Sequence, residues 1–165
     1  MRDLQERHGP TALTPIETVL VWGIRQWVSA HKAKESGHKA IEAQFDDHGA
    51  RDAAASLDAI LRMTAACATR SLDVRCPRCP GLSDDEMRIV AAIGLMQWNE
   101  PTIAFELFSS WLPPTGVRMA LHMAQGAAAV LTRAGYALPL RRWYFPELEA
   151  VARPTLALLQ KALVH

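Results

Sequence analysis

Apolar side chains recur along this chain at three- and four-residue spacing, in blocks separated by short polar, proline or glycine breaks. That period belongs to amphipathic helices. The first block opens at Thr14-Pro15-Ile16-Glu17, where Thr14 can cap, Pro15 suits the first helical position and Glu17 can reach back to close a capping box. It runs to about His31, with Ile16, Leu20, Gly23, Trp27 and His31 on one face. Gly23 inside that helix implies close approach of a neighbour. A short amphipathic helix follows over His38–Asp47 with Ala40, Ile41 and Phe45 inward. An alanine-rich helix covers about residues 50–71, with Ala54, Leu57, Ile60, Leu61, Thr64, Cys67 and Ala68 as its stripe.

Val74 to Leu82 cannot be helical throughout, because Pro77 and Pro80 each remove a backbone donor. Ser83-Asp84-Asp85-Glu86 is a second capping box. The helix it starts, about 84–98, is apolar on nearly every side after Arg88, the pattern of a central helix. Shorter segments complete the pattern. Thr102–Trp111 stops at Pro113-Pro114, and a helix capped by Thr115 runs over about 116–134 to Gly135. Tyr136–Arg142 reads as a connector, and a last helix starts at Trp143 or Pro146 and is kinked by Pro154. No block alternates with period two, so no sheet is expected. The pattern predicts an all-α, single-domain bundle of six to seven helices around the 84–98 helix, spanning residues 14–165 behind a polar arm over 1–13.

Composition narrows function more than fold. The chain has 165 residues, half of them hydrophobic, and a formal net charge of +1. No global field recruits nucleic acid or an anionic membrane. The polar start lacks the apolar core of a signal peptide, and the longest uncharged run, Met119–Thr132, suits a buried helix rather than a membrane span. These features point to a cytoplasmic protein with no membrane association. There is no Gly-rich phosphate loop, no G-x-S-x-G and no H-E-x-x-H, so an enzyme is not the favoured class.

The candidate chemistry lies in the non-helical break, which holds or adjoins all three cysteines: Cys67, Cys76 and Cys79. Cys76-Pro77-Arg78-Cys79 is a C-x-x-C turn, a spacing that can aim two thiolates at one metal ion. Cys67, at the end of the preceding helix, could supply a third sulfur. His48 is excluded as the fourth ligand, because nineteen helical positions separate it from Cys67, roughly 28 Å at about 1.5 Å per residue. His31 ranks first, followed by His38, His122 and Asp73. Zinc precedes an iron–sulfur cluster as the cofactor. The same cysteines allow a thiol–disulfide redox sensor: no strand precedes Cys76 and Pro80-Gly81 prevents a helix from starting at the motif, which argues against a glutaredoxin-like Cys76–Cys79 pair and leaves a slower switch between Cys67 and Cys76 or Cys79. A Cys-Pro haem ligand rests on two residues of context. Plain structural use of the cysteines outweighs each of these readings, with Cys67 as a small buried apolar group.

Other features have bland explanations first. The five tryptophans serve as core and interface anchors. Arg141-Arg142-Trp143-Tyr144 could stack on a nucleic acid, but a solvated helix approach explains it more simply. Residues 83–98 and 102–111 could imitate a helix-turn-helix, yet the second helix has Glu106 and no Arg or Lys, so nucleic acid is disfavoured. The acids Asp84, Asp85 and Glu86 are explained by the helix N-terminus they occupy. The function expected is a small helical binding or regulatory protein with a cysteine-based metal site. A redox-sensing regulator is the alternative, and a helical DNA-binding regulator a further one. A protein partner or a homodimer would seat on a helix face.

Overall fold

Both capping boxes form. In the computed structural model, which describes residues 13–140, Thr14 accepts from the Glu17 amide while Glu17 accepts from the Thr14 amide at 2.7 Å, opening α1 at Pro15–Lys32. Ser36 caps α2, Gly37–Asp47, and α3 follows at Arg51–Cys67. The second capping box, Ser83 with Glu86, opens α4, Asp84–Gln97. Two short-linked helices complete the described fold: α5, Pro101–Ser109, and α6, Pro114–Arg133. The architecture is an all-α bundle, with no strand among the described residues. All of the expected arm over residues 1–13 except Leu13, the last helix expected from Trp143 or Pro146, and the Arg141–Tyr144 patch lie outside the described residues.

Several boundaries differ from the periodicity. Helix α3 stops at Cys67 instead of about 71, because the Thr69 amide donates to the Trp111 carbonyl at 2.8 Å and Arg70 turns toward Ser110 and Asp85. Tertiary bonds there replace the helical ones. Pro113 is the extended residue preceding α6 and Pro114 occupies its first turn, so Thr115 lies inside the helix and is not its cap. The Pro-Pro pair therefore starts one helix as well as ending another. Ala40, expected inward, is exposed, as is His31 in the last turn of α1.

Helix α1 packs on α2, α3 and α4, and α6 packs on α3, α4 and α5. Two glycines show that α3 and α6 run antiparallel. A Cβ on Gly116 would meet Cys67 Sγ at 3.2 Å, and one on Gly126 would meet Ser56 Oγ at 3.1 Å. Gly23 has the expected neighbours: a Cβ there would lie 2.9 Å from the Phe45 ring and 3.2 Å from Leu57. The α1–α2–α3 junction closes over that gap. Residues Ile89 to Leu95 of α4 are all buried, against α1, α5 and α6. Beyond α6, Gly135 takes a left-handed φ of 85° and reverses the chain. Gln97 and Trp98 then hold the connector, through the Leu138 amide at 2.8 Å and the Leu138 carbonyl at 3.1 Å respectively. The result for function is a helical frame with one long irregular segment, residues 68–83, that follows α3 and bonds to the middle of α1, to the Trp111 carbonyl beyond α5 and to the first turn of α4.

Candidate functional site

The site is assembled by a cation that the sequence places in an apolar stretch. Arg25 is the only Lys, Arg, Asp or Glu between Glu17 and Lys32, and its position on α1 faces the bundle. It is 7 % exposed, and it pairs with Glu86, which is 0 % exposed in the first turn of α4. The pair is bidentate: Arg25 Nε donates to Glu86 Oε1 at 2.7 Å and Nη2 to Oε2 at 2.9 Å. A buried ion pair must offset a large desolvation cost, which requires that its remaining donors and acceptors be satisfied. The irregular segment supplies those partners. Arg25 Nη1 donates to the Cys79 carbonyl at 2.9 Å, and Nη2 to the Gly81 carbonyl at 2.6 Å. Glu86 in turn accepts from the Arg75 amide at 3.0 Å and the Ser83 amide at 2.9 Å.

Within that frame, Cys76 and Cys79 form a disulfide with each other, and Cys67, the sulfur expected to bridge to one of them, stays free. The Cys79 amide donates to the Cys76 carbonyl at 3.0 Å, closing a tight turn around Pro77 and Arg78. Arg75 Nη1 donates to the Pro80 carbonyl at 2.9 Å, and Gly81 adopts φ +73° to pass beneath that guanidinium. The two sulfurs differ in surroundings: Cys76 is exposed, whereas Cys79 is half-buried with its carbonyl held by Arg25.

A second acid extends the clamp. Asp85, 5 % exposed, accepts from Arg70 Nη1 and Nη2 at 2.9 and 2.7 Å and from the Asp73 amide at 2.8 Å. Arg88 reaches it at 3.3 Å. Burial opposes the charged form of Asp85, but the hydrogen bonds from Arg70 and the Asp73 amide, with the charges of Arg70 and Arg88, outweigh it and hold the carboxyl below its usual range. The Ser83 hydroxyl donates to the Asp73 carbonyl. Thus residues 73–83 are fixed at both ends to the first turn of α4.

The remaining residues of the expected metal site lie elsewhere. Cys67 is a free, half-buried thiol bonded to the Met63 carbonyl at 3.1 Å and facing Gly116. His31 stacks on Trp27 with ring centroids 4.9 Å apart. His38 approaches Glu42 at 3.8 Å, His122 is exposed on α6, and the Asp73 backbone serves the clamp. The structure brings Cys76 and Cys79 together and does not bring Cys67 or His31 to them. Among the described residues, no group of three or more His, Cys, Asp and Glu side chains gathers to hold a metal ion.

Arg25 was not among the residues singled out from the sequence, and Glu86 was read there only as part of a helix cap. One signal was present: a lone cation in an apolar helical run must find an anion, and residues 84–86 carry more acid than one helix cap uses. No family model, no curated protein and no solved structure matches the chain. No helix among the described residues is long and apolar enough to cross a membrane.

Proposed function

We propose that this chain is a small helical regulatory protein whose responsive element is the Cys76–Cys79 thiol–disulfide couple. The single observation carrying the reading is the bond from buried Arg25 to the Cys79 carbonyl. It links a solvent-accessible sulfur pair directly to the ion pair that joins α1 to α4. Opening the disulfide removes the covalent closure of the 76–79 turn and leaves the carbonyl anchors to hold the segment alone. A change of redox state at the surface then alters the stiffness of a segment bonded to the middle of α1 and to the first turn of α4. Proline and glycine at 77, 80 and 81 keep that segment irregular in either state.

The test is reversible thiol counting combined with hydrogen exchange. Oxidised protein should present one free thiol, Cys67, and protein treated with a dithiol reductant should present three. Mild disulfide reagents should restore the count to one. Amides of residues 73–83 should exchange measurably faster in the reduced state, while those of α3 and α6 stay unchanged. A pair that never re-forms, or a segment whose exchange ignores the redox state, would remove the proposal. Elemental analysis of protein purified without chelator separates this reading from a zinc thiolate, because an equivalent of zinc per chain would favour the latter.

A further inference from the structure

Resting on the redox reading above, we propose that Cys76 is the sulfur that exchanges with a dithiol partner and that Cys79 is the resolving sulfur. The two positions are inequivalent in exposure and in anchoring. Cys76 is exposed and Cys79 is half-buried. The Cys79 carbonyl is fixed by Arg25, the Pro80 carbonyl by Arg75 and the Gly81 carbonyl by Arg25 again, so the chain on the Cys79 side is pinned over three consecutive residues. On the Cys76 side the anchors are backbone bonds alone, from the Arg75 amide to Glu86 and from the Cys79 amide to the Cys76 carbonyl. A bulky adduct on Cys76 leaves these anchors in place. An adduct on Cys79 crowds the half-buried residue whose carbonyl Arg25 holds, beside an ion pair whose donors are costly to leave unmade.

Arg25 is a positioning residue in this scheme. Its guanidinium is paired with Glu86 at 2.7 Å, and its contribution is to fix the Cys79 backbone in place. Access and anchoring therefore decide which sulfur is attacked, as they do in thiol–disulfide exchange generally.

The exchange balances as follows. A thiolate of the dithiol reductant attacks Cys76 Sγ, and a mixed disulfide forms as the Cys76–Cys79 bond breaks. The electron pair leaves on Cys79 Sγ, which takes a proton from solvent. The reductant's second thiol, its proton lost to solvent, attacks the reductant's own sulfur in the mixed disulfide. Cys76 departs as a thiolate and is protonated. The reductant ends as a disulfide and the chain as two thiols, a transfer of two electrons.

The decisive measurement uses the full chain carrying Cys67→Ser, which removes the third thiol. Reduced protein is exposed briefly to glutathione disulfide, and the first adduct is located by peptide mass spectrometry. At least a tenfold excess of adduct on Cys76 over Cys79 is expected. A parallel measurement compares rates with dithiobis-nitrobenzoate. The lone thiol in the additional Cys79→Ser variant should react about tenfold faster than the lone thiol in the Cys76→Ser variant, and the two rates should converge in denaturant. Equal labelling, or a preference for Cys79, overturns the assignment. If the pair forms no disulfide under any glutathione ratio while both thiols remain reactive, the redox reading itself falls, and that outcome is distinct from a wrong assignment of roles. Unmodified protein, mapped in the same way, guards against a variant that folds poorly.

Discussion

Arg25 is the residue on which the site's geometry turns. Its guanidinium makes four hydrogen bonds, two to Glu86 and two to backbone carbonyls of the cysteine segment. Replacing it with methionine keeps much of its volume but leaves Glu86 buried without its cation. Breaking a buried pair from one side costs about 3–5 kcal/mol, and we expect a loss of that size in urea denaturation of Arg25→Met. Lysine should not rescue it, because one ammonium cannot reproduce the planar fork that serves two carboxylate oxygens and two carbonyls. A loss under about 1 kcal/mol would mean that the pair and its anchors hold the segment far less than the geometry implies. Gly37 tests packing instead of charge. A Cβ there would lie 2.3 Å from the Trp27 indole, and that ring is fixed by its bond to Asp58 at 2.7 Å. Gly37→Ala should therefore cost about 1–3 kcal/mol through overpacking, read as a lowered midpoint with an unchanged urea slope.

At the scale of elements, the first turn of α4 has two roles. It is a helix start, with a capping box and three acids, and it is also the anchor for residues 73–83. Ser83 shows the overlap, since its hydroxyl accepts from the Glu86 amide at 3.1 Å and donates to the Asp73 carbonyl. Loss of an N-cap costs about 1 kcal/mol, with a range of about 0.5–2. Ser83→Ala should fall at the upper end of that range, because the tertiary bond is lost as well. Thr14→Ala, in the other capping box, should fall nearer the middle. Equal effects in the two boxes would argue that the Ser83–Asp73 bond adds nothing. Gly81→Ala probes the segment itself. Its φ of +73° is strained for any L side chain by about 1–2 kcal/mol, and its Cβ would meet Arg75 Nη1 at 2.9 Å.

For the whole molecule, the pH dependence follows from Asp85. Its carboxyl is held below the ordinary range in the folded state, so the unfolded chain binds that proton more readily. The stability it contributes is complete above the unfolded carboxylate value, near 3.9, and is lost as pH falls through the lower folded value. Glu42, lowered by its hydrogen bond to Arg51, acts in the same direction but is partly exposed and contributes less. Acid titration of stability should therefore steepen below about pH 4, and Asp85→Asn should flatten that limb while lowering stability at neutral pH. An unchanged acid limb in the variant would show that the Arg70–Asp85 clamp is not what acid releases.

Periodicity and capping chemistry alone determined that the chain is helical. They located the starts of α1 and α4, the gap at Gly23 and the turn at Gly135, because helix caps and amphipathic stripes are written in residues three and four apart. The same local reasoning also found the Cys76–Cys79 pair. Tertiary structure alone decided where α3 ends and that Cys67 faces α6 and not the other two sulfurs. It also decided that Arg25 and Glu86, sixty-one positions apart, meet in the interior. Those outcomes depend on hydrogen bonds and charge pairs between residues distant along the chain. Spacing along a single helix carries no information about which remote partner a buried polar group will find.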